Sequence, residues 1–256
     1  MRVEASGEAP VTAVVAALPE EIAPLRSRLT DVERRRAGPI LLESGRLDGR
    51  GVVLAVTGDG ERNARAGVAA LLAAARAERL IVIGVAGALS RGLGAAALVV
   101  AGRVTEERGK DLLGEAGEIG DVARATGARI AVVLSAAAIV DSAVEKQRLG
   151  GQIAAGLPAV VDLESATYVA GAVAAGIPWL VLRAVSDTAD ESLPELLNRS
   201  RDAGGAVRRG RVLLGLLREP RALAPLLTMR GRVGRCAEVL ARAVALALPA
   251  LARSRP

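Results

Sequence analysis

Acids fall at three places in this sequence where the chain leaves a predicted strand or enters a predicted helix. Glu20 and Glu21 follow the apolar run Val11–Ala17, Asp162 and Glu164 stand around the start of a helical stretch, and Asp187 comes just past the last apolar run. Three such groups suit cleavage of a glycosidic bond. One carboxylate activates water, a second holds sugar hydroxyls, and an acid protonates a departing base that would otherwise leave as an anion. Singly, an acid at a helix start is ordinary, because it complements the helix dipole. Three stations on one edge of a sheet carry more weight.

The missing residue types narrow the chemistry. There is no histidine and one cysteine, Cys236. Imidazole acid–base catalysis, His-based triads and His metal sites are excluded, and so is an intramolecular disulfide. No metal site and no cofactor are expected. Catalysis must rest on carboxylates, hydroxyls, lysine, arginine or backbone groups.

The elements that must hold these groups read as alternating strands and helices. Val11–Ala17, Gly51–Thr57, Leu80–Val85, Ala97–Val100, Ile130–Leu134 and Trp179–Val185 are short apolar runs of the kind buried strands make. Helices are expected from Pro19, over Arg62–Arg79, Leu112–Thr126 and Ala143–Leu149, and over Asp162–Ala175 before Gly176 and Pro178. Pro19 at a first helical position, followed by Glu20 and Glu21, is a strong start signal. Such alternation indicates an α/β fold, a single three-layer domain whose central, mostly parallel mixed sheet is flanked by helices. Ligands in such sheets sit where strands end. The glycine turns Gly58-Asp59-Gly60 and Gly84-Val85-Ala86-Gly87 lie at that edge and let a ligand approach backbone, although glycine there more often only makes a turn.

Apolar residues make up 51% of the 256, yet Phe is absent and Trp179 and Tyr168 are the only other large aromatics. The core must be aliphatic, with those two as core residues. Net charge is +6, unevenly spread: Arg199–Pro256 holds thirteen arginines against Asp202, Glu219 and Glu238. This stretch reads as amphipathic helices Ala206–Arg218, Arg221–Met229 and Arg232–Leu248, punctuated by Pro220, Pro225 and Pro249. Solvated arginines on helix faces are the plain reading, and attraction to an anionic surface is the alternative. The expected organisation is a tail at 1–10, a domain over 11–198, and a basic helical extension over 199–256 packed on the same domain. With no signal peptide and no apolar run near the ~20 residues of a membrane span, a cytoplasmic protein is expected.

The segments VVAALPEEIAPL, TGDGERNARAG, IVIGVAGAL and VVDLESATYVAGAVAAGIPWLVLRAVSDTAD, in this order, resemble the methylthioadenosine/adenosylhomocysteine nucleosidase and purine phosphorylase family. The resemblance covers roughly Val11 to Asp190 and implies a nucleoside phosphorylase-like fold with added C-terminal helices. It implies that Glu21 activates the attacking water, that Glu164 holds the ribose hydroxyls and that Asp187 donates to the purine N7. Leu163 takes the place of a methionine usually packed on the ribose, and Ile139 and Val140 fall near the base. Gly58, Val85, Ala86, Gly87, Asp162 and Ser186 complete the expected substrate site. The family's phosphorylases bind phosphate through an arginine and a hydroxyl around the strand that here reads Leu80–Val85, which has neither. Water is therefore favoured over phosphate as nucleophile, although Arg62 or Arg65 could bring a cation from another direction.

Including GVAGAL, VDLES, LLREPRALAPLL and the arginine-rich tail, the sequence resembles the hopanoid-associated phosphorylase group, which implies removal of adenine from adenosylhopane to leave ribosylhopane. The expected partners are then a small-molecule nucleoside, lipid-linked on this narrower resemblance, and water or phosphate as co-substrate. Peripheral contact with a membrane surface and a homodimer follow from the same resemblances, and no nucleic acid is expected. A methylthioadenosine/adenosylhomocysteine nucleosidase, a phosphate-dependent phosphorylase and a non-catalytic nucleoside-binding protein stay open as alternatives.

Overall fold

The structure, a computed structural model, describes residues 11–107, 109–153, 156–193 and 223–253. In chain order it runs β1 (Val11–Ala16), α1 (Pro19–Arg26), β2 (Thr30–Ala37), β3 (Ile40–Leu47), β4 (Arg50–Val56), α2 (Glu61–Ala74), β5 (Ala77–Ala88) and β6 (Leu98–Glu106). It continues through β7 (Leu112–Leu113), α3 (Ala116–Thr126), β8 (Arg129–Ser135), α4 (Ala143–Gln152), β9 (Ala159–Asp162), α5 (Ser165–Ala175), β10 (Trp179–Asp187) and α6 (Leu223–Arg253).

The apolar runs become the strands that both helical layers cover. β4, β1, β5 and β10 lie side by side and parallel. β6, β8 and β9 are parallel to one another, but β6 pairs antiparallel with β10 and β9 antiparallel with β5. The ladders β5-β10-β6-β8-β9 thus close on themselves in a ring, and β1, β4, β3 and β2 extend from it as an open sheet. Sheet twist makes such curling natural.

Two aliphatic clusters fill the spaces on either side. One packs Ala64, Val68 and Leu71 of α2 and Tyr168, Val169 and Ala172 of α5 against the sheet. The other packs Ile22 and Leu25 of α1, Ile119 and Val122 of α3, and Cys236, Leu240, Val244 and Leu248 of α6 against its opposite face. The three-layer α/β arrangement is the expected one. Tyr168 is a core residue, its hydroxyl 2.6 Å from Thr57 Oγ1.

Several boundaries differ from the sequence reading. The helix expected over Arg62–Arg79 ends at Ala74, because Ala77–Arg79 pair with β1 as the start of β5. Leu112–Thr126 splits: Leu112 and Leu113 pair with β6 and the helix begins at Ala116. Asp162 belongs to β9, and the helix expected from it begins at Ser165. The β2–β3 hairpin was not anticipated. β2 is a charged, exposed edge strand, TDVERRRA, whose polarity hides it from hydrophobic pattern reading.

At the C-terminal end, the segment Ala206–Arg218 lies outside the described residues. The two helices expected at Arg221–Met229 and Arg232–Leu248 are one helix, α6, with Pro249 inside it. Pro225 falls in the first turn, where backbone amides have no intrahelical partner and proline is tolerated. Pro249 removes a single bond within the final two turns. Although α6 has 31 residues, no helix among those described is long and apolar enough to cross a membrane.

Candidate active site

Glu21 is placed by the turn from β1 into α1. Glu20 beside it is exposed, whereas Glu21 is buried in the third helical position. Its Oε2 accepts the Leu18 amide at 2.9 Å and its Oε1 accepts the Val85 amide, also at 2.9 Å. The side chain therefore caps its own helix and ties that helix to β5. Burial raises the Glu21 carboxyl above the usual carboxylate range, with the nearby Arg183 charge and the two amides opposing.

Arg183 interrupts the apolar strand β10. Its side chain is 2% exposed, forms an ion pair with Asp162 (Nη2 to Oδ2, 2.6 Å) and donates to Ser165 Oγ from Nε (3.2 Å) and Nη2 (2.9 Å). It passes over Gly84, its register partner on β5. A Cβ at Gly84 would stand 1.9 Å from Arg183 Nη1 and 2.9 Å from Glu21 Oε1, so only glycine leaves space there. Burial by itself would lower the Arg183 pKa, but Asp162, Glu21 and Glu164 together raise it.

Asp162 ends β9 and takes part in a second network. Its Oδ1 accepts Ser135 Oγ at 2.7 Å and the Ser165 amide at 3.3 Å, and Ser135 Oγ in turn accepts the Ala166 amide at 2.9 Å. The start of α5 is thereby pinned to the ends of β8 and β9. Glu164 is the N-cap residue of α5, and its Oε1 accepts the Gly60 amide at 2.8 Å across the fold. Burial, then the charge of Asp162, pushes the Glu164 carboxyl up to about 7.

Asp187 ends β10. Ser186 Oγ donates to its Oδ1 at 2.5 Å, and Lys146 Nζ of α4 donates to its Oδ2. A Cβ on Gly87 would meet Oδ2 at 2.9 Å, so this glycine too makes room for a carboxylate.

A cavity of about 600 Å³ opens above these groups. Glu21, Asp162, Glu164, Ser186 and Asp187 line it from four strand or helix ends. Gly58 borders it from the turn after β4, and Val85, Ala86 and Gly87 form its floor on β5. Leu163 lies between the two acids of the β9–α5 junction, and Ile139 and Val140 line the wall from the segment between β8 and α4. The structure therefore brings Glu21, Glu164, Asp187 and the other residues expected at the substrate site to one cavity. The route differs from a simple parallel-sheet edge: Asp162 and Ser135 arrive on strands running opposite to β5, through the closed ring.

Sequence reasoning missed Arg183, Lys146, Ser135 and Ser165. A lone arginine inside the apolar run WLVLRAV was a usable signal, since a charge on a buried strand requires a partner. Also missed was the share of α6, whose Met229, Arg230 and Val233 border the cavity. Arg62 and Arg65, considered as extra cations, are exposed on α2, and Arg65 pairs with Glu61 at 2.5 Å. Among the described residues, no group of three or more carboxylates or thiols is placed to hold a metal ion.

Residues 11–123 match the family model described as the Phosphorylase superfamily. The structure is similar to a 5′-methylthioadenosine/S-adenosylhomocysteine nucleosidase from Neisseria meningitidis in complex with methylthio-immucillin-A. The TM-score is 0.71 at 21% identity, covering 94% of this chain and 99% of that one. The two chains share one fold. A mutant of futalosine hydrolase from Helicobacter pylori is similar at TM-score 0.73 and 16% identity, with 94% and 99% covered. In sequence, 95 residues are 40% identical to a 5′-methylthioadenosine/S-adenosylhomocysteine nucleosidase of Mycobacterium bovis and to its Mycobacterium tuberculosis counterpart. That stretch is 36% of this chain and 36% of each relative, so the match spans about a third of the curated relatives' length.

Proposed function

We propose that this superfamily fold serves here as a purine nucleosidase, cleaving the N-glycosidic bond of a 5′-substituted adenosine and releasing adenine. The observation that carries the proposal is the convergence of Glu21, Glu164 and Asp187 on one cavity. In this reading Glu164 accepts hydrogen bonds from the ribose hydroxyls, and Glu21, made more basic by burial, takes a proton from the attacking water. Asp187, whose two carboxylate oxygens accept from Ser186 and Lys146, takes a proton from solvent and passes it to N7 as the base departs. The C1′–N9 bond breaks with its electron pair going to the base, and water oxygen bonds to C1′.

Charge favours water over phosphate. Asp162 is paired with Arg183 and Asp187 with Lys146, which leaves Glu21 and Glu164 as two carboxyls facing the sugar without a dedicated cation. Once ionised, they suit a positively charged, oxocarbenium-like transition state and repel a phosphate dianion. Arg230 borders the cavity from the exposed side of α6, whereas Arg183 is committed to Asp162 and Ser165.

For the substrate, adenosylhopane, converted to ribosylhopane, is the preferred candidate on the resemblance of the C-terminal half to the hopanoid-associated group. The cavity's Leu18, Val56, Met229 and Val233 suit an apolar 5′ substituent. A methylthioadenosine/adenosylhomocysteine nucleosidase is the second reading, favoured by the 40% identical stretch. A panel of methylthioadenosine, adenosylhomocysteine, inosine and a 5′-lipid-linked adenosine, assayed for free base with and without phosphate, separates them. No base release from any member overturns the nucleosidase reading, and a rate that depends on phosphate overturns hydrolysis.

Contact with an anionic membrane belongs to the same proposal. Leu240, Leu248 and Leu251 of α6 pack in the core while Leu246 is exposed, so contact would rest mainly on exposed arginines such as Arg235 and Arg242 and would weaken with salt. Equal liposome cosedimentation of the wild type and an Arg235→Glu/Arg242→Glu variant removes it. A homodimer, proposed on the same resemblance, is checked by sedimentation equilibrium.

A further inference from the structure

Lys146 is fully buried, at 0% side-chain exposure, on a helix whose neighbouring residues Gln147 and Arg148 face solvent. Burying a lysine is costly unless its donors are satisfied. All three are: Nζ donates to Asp187 Oδ2, to the Thr188 carbonyl at 2.9 Å and to the Glu191 carbonyl at 2.7 Å. An ammonium has three hydrogens, so Lys146 keeps none for a bound molecule. It acts on Asp187 and on the turn that follows.

The surroundings make this a built device. Ser142 caps α4 by accepting the Glu145 amide at 3.2 Å, and Leu149, one turn beyond Lys146, anchors the same helix face in the core. The turn after β10 is held from two further directions. Glu191 Oε2 accepts the Thr188 amide at 2.8 Å and Arg232 Nη1 of α6 at 2.9 Å, while the Leu193 amide donates to the Asp141 carbonyl at 2.6 Å. Ile139 and Val140, on the cavity wall, are in the segment that leads into α4. One lysine thus connects the wall segment, the turn and the carboxylate.

We propose that Lys146 is a positioning residue for the reaction: it fixes the Asp187 carboxyl and the 187–191 turn in the orientation that meets the leaving base. The inference rests on Asp187 protonating that base. Lys146 is not a catalytic residue in this account, because its donors are saturated by protein oxygens. A misplaced acid costs on the order of a hundredfold in rate, and the loss falls on the bond-breaking step.

The test is a cycle of Lys146→Met, Asp187→Asn and the double variant, assayed for adenine release and, in parallel, for nitrophenolate release from p-nitrophenyl riboside. Nitrophenolate departs without being protonated. Lys146→Met is expected to lower kcat for adenine release about a hundredfold, with KM little changed and nitrophenolate release largely kept. The double variant is expected to be no slower than Asp187→Asn alone, since Lys146 has nothing left to position. The double variant also removes both buried charges together, so it stays readable if Lys146→Met folds poorly. A double variant much slower than Asp187→Asn, or equal losses on both substrates, overturns the proposal. A wild-type protein that releases no adenine defeats the nucleosidase reading instead, which keeps the two failures apart.

Discussion

Arg183 and Asp162 face each other at 2.6 Å, with side chains that are each 2% exposed, on strands that run in opposite directions. The pair joins the two halves of the closed ring where the cavity opens. Its guanidinium also acts as a positive charge on both Glu21 and Glu164. Removing the arginine leaves several buried carboxyls without that charge, so Arg183→Met is expected to destabilise the protein by about 3–5 kcal/mol. Urea unfolding of the variant checks it; a change below about 1 kcal/mol would mean the pair is solvated in solution.

Gly84→Ala probes the same pair without changing charge. The new methyl would stand 1.9 Å from Arg183 Nη1, so the guanidinium must move and the Asp162 contact with it. Loss of activity is expected, together with a lower thermal midpoint. A variant as active and as stable as wild type would show that Arg183 does not lie over β5.

Asp187→Asn preserves shape and removes the carboxylate that relays the proton. Adenine release is expected to fall by about 10²–10⁴-fold while circular dichroism stays native. Unchanged turnover would remove Asp187 from its proposed role.

Glu21→Gln leaves an amide where a base is needed. A similar drop of about 10²–10⁴-fold is expected in hydrolysis, with nucleoside binding retained because Glu164, the proposed sugar-holding group, is unchanged. Binding by isothermal titration next to turnover separates the two effects. Parallel loss of both would assign Glu21 to binding.

Glu164 gives a pH-dependent stability. Its carboxyl stands at about 7 in the folded protein against an ordinary value of 4.5, so the native state holds the proton more tightly. This contribution is complete below about pH 4.5 and is lost as pH rises through about 7. The full difference amounts to roughly 3 kcal/mol. Compared with wild type, Glu164→Gln should gain relative stability across that window; parallel curves for the two proteins would refute the shift.

The legible part of the site lay in strand ends and glycines. Glu21 could be picked over Glu20 only through resemblance, since both lie in the first turn. Burial of one and exposure of the other follow from the packing of α1 against β5. Lys146 was illegible because α4 is polar almost throughout, AVEKQRLGGQ, and nothing local marks which charge points inward. The β2–β3 hairpin was hidden for a related reason, as an edge strand with charged, exposed side chains carries little hydrophobic pattern. α6 is one helix where two were expected, because helix continuity through Gly231 leaves no mark in the local sequence, and its core contacts run from Cys236 to Leu251.

The sequence by itself determined the α/β class, the apolar strands and a chemistry without imidazole, because residue types and periodicity are local properties and the absence of histidine is absolute. Tertiary structure alone decided which charges pair. Arg183 goes to Asp162 and Lys146 to Asp187, and Glu21 and Glu164 are left facing the cavity. That partition depends on strands of opposite direction meeting through a closed ring, and a contact between residues far apart in the chain leaves no trace in the spacing of either one.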